Sequence, residues 1–168
     1  MRKIAVYARR HGNALSPASR EALGFGSRLA KAVRGEASAL IFGAEAADAV
    51  PEAFSCGADA VYISANPMLN EFQPELHAYA LETAFRQAEA DILILPFDQA
   101  GKKLAGKLAA RLEASAITEV TDFQADESEI RWIRPVYGDK ALGVFAATRP
   151  KVVAALRPKS QEPPEPVP

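Results

Sequence analysis

Asp91-Ile92-Leu93-Ile94-Leu95-Pro96 (residues 91–96) decides the fold class. Within it, Ile92–Pro96 is the most continuously apolar strand-length run in the chain. A strand with one wet face alternates apolar and polar residues, so an unbroken run suits a strand covered on both faces. Helical patterns flank it. Pro74–Glu89 sets Leu81, Ala84, Phe85 and Ala88 on one side. Lys102–Arg111 turns Leu104, Ala105, Leu108 and Leu112 inward and leaves Lys103, Lys107 and Arg111 in water.

The same rhythm extends to the N-terminus. Lys3–Ala8 reads as a first strand. Ser16-Pro17 reads as a helix N-cap with proline at the first helical position, where its missing N–H is harmless. Ala22, Gly26, Leu29, Ala30 and Val33 form the packing face of that helix, and Gly35 is expected to end it. Ala39–Phe42 is a second apolar run, stopped by Gly43. An alanine-rich stretch around Pro51 leads to Cys56-Gly57 and a third strand, Ala60–Ser64, followed by a turn at Asn66-Pro67. Strands alternating with helices predict right-handed crossovers and a doubly wound, mainly parallel α/β sheet.

From about Ala116 the rhythm changes. Val120–Gln124, Glu129–Val136, Leu142–Ala147 and Val152–Leu156 follow one another with only turns between them. Asp126-Glu127, Tyr137-Gly138-Asp139 and Arg149-Pro150 supply the turn chemistry. This part is expected to be an antiparallel C-terminal extension. Gln161–Pro168 is proline-rich and reads as an extended linker or tail, so the domain is expected over 1–158 and the tail over 159–168.

Composition narrows the function. The 168 residues suit one domain with a substantial core. Twenty basic against 21 acidic side chains leave a formal net charge of −1, not the basic footprint of a nucleic-acid binder. No apolar run approaches the ~18 residues of a membrane span, and no signal-peptide pattern follows Met1. Cys56, alone, cannot form an internal disulfide, which fits a reducing cytosol. The expectation is a cytoplasmic domain without membrane insertion.

The C-terminal motifs carry a resemblance. Arg134-Pro135-Val136-Tyr137-Gly138, Lys140-Ala141-Leu142, Thr148-Arg149-Pro150 and Ala155-Leu156-Arg157-Pro158 resemble the end of domain I in electron-transfer-flavoprotein alpha subunits. Upstream, Gly12-Asn13-Ala14-Leu15-Ser16-Pro17, Gly57-Ala58-Asp59-Ala60-Val61-Tyr62, Leu108–Leu112 and Thr121-Asp122 match the same family in order and spacing. Two loops depart from it. Phe97–Lys102 replaces a Thr-Ser-x-Gly-Arg-like turn, and Asp139 replaces the second glycine after Tyr137-Gly138.

The resemblance implies a fold like that of adenine-nucleotide hydrolases and a non-catalytic role. A domain I packs on a beta-type subunit, and the pair supports an FAD-bearing domain that passes electrons from dehydrogenases toward a quinone reductase. No segment resembles that second domain, so FAD is expected in the assembled complex and not on this chain alone. Arg134, Tyr137, Gly138 and Lys140 are the expected interface residues. The alternative is a stand-alone adenine-nucleotide-binding domain resembling universal stress proteins.

No catalytic constellation emerges, and His11, His77 and Cys56 show no metal-ligand spacing. His77 is expected at the surface, and Cys56 reads as a small packing residue sooner than a nucleophile. Arg9-Arg10-His11 follows strand one, at the carboxyl edge where open α/β sheets bind ligands. Arg9, Arg10, Gln99 and Lys102 are weak anion-binding candidates, against the plainer reading that these are solvated loops. Gly101 lacks the neighbours of a phosphate-binding loop, and Asp98, Asp122 and Asp126 are scattered. Trp132 and Phe145 read as core or interface aromatics.

Overall fold

A computed structural model describes residues 1–164; residues 165–168 of the expected linker lie outside the described residues. The elements run β1 (Lys3–Tyr7), β2 (Arg10–His11), β3 (Ala14–Leu15), α1 (Pro17–Ala32), β4 (Glu36–Phe42) and α2 (Val50–Ser55). Then come β5 (Ala60–Ser64), α3 (Pro74–Gln87), β6 (Ile92–Pro96), α4 (Gln99–Leu112), β7 (Ser115–Val120) and β8 (Asp122–Ala125). The chain closes with β9 (Ile130–Val136), β10 (Ala141–Ala146) and β11 (Val152–Leu156).

Six strands make a parallel sheet in the order β5-β4-β1-β6-β11-β7. The expected doubly wound α/β fold is present, with β6 near its centre. Alternate residues of the central strands feed two cores. Ile4, Val6, Ile92 and Ile94 meet α1, while Ala5, Tyr7, Leu93 and Leu95 meet α3 and α4. Covering both faces is what makes residues 92–96 uniformly apolar.

The antiparallel extension is smaller than expected. β10-β9-β8 form a separate three-stranded sheet, but Val152–Leu156 returns to the main sheet and pairs in parallel with β6 and β7. All five of its residues are buried, the same signature that marks β6. The preceding stretch also divides. Ser115–Val120 joins the parallel sheet, and the chain crosses into the small sheet only after Thr121.

Local signals explain the helix ends. Ser16 caps α1 by accepting from Ser19 N, with Pro17 behind it. Gly35 does not supply the left-handed stop; Arg34 does, at φ 49°. A Cβ on Gly35 would lie 2.1 Å from Arg2 O, so close approach to the main chain demands glycine there. Phe97–Lys102 is not a loop throughout, because α4 starts at Gln99 behind an Asp98 cap. At Gly101 a Cβ would sit 1.8 Å from Pro96 O, which seats the first turn of α4 on the end of β6.

His77 corrects another expectation. It is 3% exposed, lying on the face of α3 that also buries Leu81, Ala84 and Phe85. Its spacing, four residues before Leu81, belongs to that face. Cys56 is buried as a packing residue, and burial raises its thiol pKa. Trp132 is fully buried in the core beneath the small sheet, whereas its cross-strand neighbour Phe145 is exposed. No described helix is long and apolar enough to cross a membrane.

Candidate functional site

Open α/β sheets present ligands with a crevice where successive crossovers run in opposite directions. Here that point lies between the carboxyl ends of β1 and β6. Arg9 leaves β1, and Asp98 follows β6. Arg9 Nη1 reaches Asp98 Oδ2 at 3.3 Å across the gap. The other carboxylate oxygen of Asp98 accepts Gly101 N at 2.9 Å. Arg9 N donates to buried Ser19 Oγ at 2.7 Å, while Ser16 N donates to Arg9 O. The guanidinium also lies 5.5 Å from the centre of the Phe72 ring.

A cavity of about 280 Å³ opens beside this pair, at the ends of β1 and β4, lined by Arg9, Arg10, Phe42, Asn70, Phe72 and His77. It falls just below the roughly 300–1,000 Å³ typical of ligand pockets. Arg10 is answered by Glu45 at 3.1 Å, and Asn70 Oδ1 accepts Ala44 N at 2.7 Å. Burial holds the pKa of His77 below its ordinary value, so the imidazole adds little positive charge near neutrality. Gln99 and Lys102 do not line this cavity. Gln99 is exposed on the first turn of α4, and Lys102 lies over the Phe97 ring at 5.5 Å. Sequence reasoning placed Arg9 at the right edge but did not see that its partner would be Asp98.

The N-terminus of a helix offers free main-chain donors to a phosphate-bearing cofactor such as FAD. At α4, Asp98 takes Gly101 N; at α1, Ser16 takes Ser19 N. Each cap answers one of the donors of its first turn. Among the described residues no cluster of His, Cys, Asp and Glu could hold a metal ion.

The hairpin joining β9 and β10 is built differently. Thr121 N and Oγ1 both donate to Ile133 O, and β8 pairs with β9 no further than Ile133. Pro135 lies beyond that reach, on a locally unpaired edge where its missing N–H costs nothing. Arg134 turns inward, donating to Thr118 Oγ1 and Glu119 Oε2 at 3.3 Å each. Glu119 takes φ 56° where the β7–β11 register shifts, so a bulge aims it at Arg134. Tyr137, Gly138 and Asp139 then turn the chain with three successive positive φ values of 52°, 62° and 65°. Tyr137 is 83% exposed, and Lys140 is exposed beside it.

Strand pairing puts Leu142 opposite Pro135 and Val144 opposite Ile133, all on the outer face of the small sheet. Leu142 is 69% and Val144 53% exposed. Together with Tyr137 they form an apolar patch on an edge strand, a pattern that marks interaction surfaces. Of the four expected interface residues, Tyr137, Gly138 and Lys140 gather at this tip, while Arg134 ties β9 to β7. Leu142 and Val144 were not singled out from sequence, although their alternation in Ala141–Ala146 was there to read.

Comparison with known proteins agrees with this architecture. Residues 4–167 match the model of the electron transfer flavoprotein domain. Protein FixB of Azorhizobium caulinodans is 28% identical over 167 residues, 96% of this chain and 45% of the relative. The electron transfer flavoprotein subunit alpha of Bacillus subtilis is 27% identical, covering 75% of this chain and 39% of the relative. Subunit LctC of the lactate dehydrogenase (NAD(+),ferredoxin) of Acetobacterium woodii is 26% identical over 89% of this chain. The chain thus spans less than half the length of these curated relatives. It belongs to the electron transfer flavoprotein domain family, among relatives of the alpha-subunit and FixB type.

Proposed function

We propose that this chain serves as a non-catalytic domain of an electron-transfer flavoprotein alpha subunit, packing on a beta-type subunit. The patch of Tyr137, Leu142 and Val144 carries the reading, because it presents apolar side chains and an unpaired strand edge on a family member. In the assembled complex the domain supports flavin-mediated electron transfer between a dehydrogenase and a quinone reductase, in the cytoplasm. FAD is held in the assembled complex, outside this chain.

The adenine-nucleotide alternative draws less support. The cations lining the cavity are neutralised by Asp98 and Glu45, which leaves little net charge for a phosphate. The test pairs the chain with the beta-type subunit of its source organism. Wild type is expected to co-purify with it, and a Leu142→Asp, Val144→Asp variant to lose the partner while keeping its melting temperature. Equal retention of both proteins would remove the patch from the interface. The isolated chain is expected to purify colourless, and a stoichiometric oxidised-flavin spectrum would overturn the assignment of FAD elsewhere.

A further inference from the structure

Glu21 lies within α1 and is 5% exposed, yet no cationic side chain pairs with it among the described residues. Its carboxylate instead faces the main chain that follows β11. Lys159 N donates to Glu21 Oε2 at 2.8 Å, and the neighbouring amides of Ser160 and Gln161 lie close enough to offset part of the rise that burial causes in the carboxyl pKa. Lys159 takes φ 62°, which turns successive N–H groups to one side and makes an anion-holding concavity. In this concavity the anion is the protein's own side chain.

The rest of the segment lies along the same helix. The Gln161 side chain accepts from Arg28 and donates to Thr121 O, linking α1 to the start of the small sheet. Pro164 rests on Gly24, where a Cβ would approach the proline ring to 2.9 Å. Beyond Arg157, whose N–H bonds Val120 O, this segment makes no main-chain to main-chain hydrogen bond with other elements among the described residues. Side chains alone hold it down.

We propose that residues 158–164 are a docked strap and that Glu21 is its latch. A segment held by few contacts over a well-bonded core opens locally without unfolding that core. Glu21 answers the Lys159 amide, so removing it leaves that donor unanswered in the docked state and favours the released one. The buried carboxylate thus acts beside the Gln161 bonds and the Pro164 contact in keeping the C-terminal segment against α1.

Limited trypsin digestion of the 168-residue chain reads the latch, because Lys159-Ser160 is a cleavable bond inside the strap. Cleavage of a transiently opened segment tracks the open population, so Glu21→Ala is expected to accelerate cutting there by roughly tenfold. Hydrogen exchange across Ile92–Pro96 is expected to stay at the wild-type level. Unchanged cleavage at Lys159 overturns the proposal. So does loss of protection across β6 in the variant, which would make Glu21 a residue of the core's own folding.

Discussion

Arg157 grips Asp139 through two parallel hydrogen bonds, Nη1 to Oδ1 at 2.8 Å and Nη2 to Oδ2 at 3.0 Å. One residue closes the last strand of the main sheet, and the other sits in the left-handed turn between β9 and β10. The fork therefore ties the tip of the small sheet to the end of the large one. Asp139 is one of the two loop departures noted in the sequence, and Arg157 anchors it.

That fork has a defined pH dependence. The Arg157 hydrogen bond holds the Asp139 carboxyl below its ordinary pKa. A folded-state pKa lower than the unfolded one, about 3.9 for Asp, contributes stability above that value. The contribution is lost as pH falls through the folded value. A double-mutant cycle of Asp139→Asn and Arg157→Gln, read by urea midpoint, is expected to show small coupling at neutral pH. The coupling should shrink as pH falls below the ordinary Asp range and vanish once the Asp139 carboxyl is protonated. Coupling that persists in acid would mean that packing, not charge, links the two.

Tyr137 occupies a conformation that favours glycine, with φ 52°, and its ring is exposed. Replacing it with glycine relieves a left-handed cost of roughly 1 kcal/mol and removes the phenol. Tyr137→Gly is therefore expected to melt no lower than wild type and to bind a beta-type subunit more weakly. A clear drop in melting temperature would show that the phenol covers the hairpin instead of serving an interface.

Two glycines of α4 are expected to respond with opposite sign. Gly101 has Pro96 O at 1.8 Å from its would-be Cβ, whereas nothing lies within 4 Å at Gly106. Gly101→Ala forces α4 away from β6, an overpacking cost of about 1–3 kcal/mol. Gly106→Ala, on an exposed helical position, is expected to gain about 0.4–1 kcal/mol. Chemical denaturation of both variants decides it; equal effects would contradict the seating of α4 described here.

The legible parts of the fold were those with dense local signals. Ile92–Pro96 was apolar throughout because it is covered twice, and Ser16-Pro17 announced α1 through its own capping chemistry. Val152–Leu156 carried the same buried-strand signature as β6, but its sequence neighbours were antiparallel strands, and proximity along the chain prevailed over composition. His77 belonged to a helical face that the reading of α3 began one turn too late. Glu21 gave no local sign at all, since its partner lies 138 residues away. The weak site candidates divided for a similar reason. Arg9 finds its role only across the sheet at Asp98, while Gln99 and Lys102 are on a helix that begins one residue after that aspartate.

Sedimentation velocity of an equimolar, micromolar mixture of this chain and the source organism's beta-type subunit tests the central claim most directly. A member of this family that works as an alpha-type docking domain is expected to run with its partner as one boundary of the size of a one-to-one complex. Two boundaries, each at the position of the isolated protein, would contradict that role.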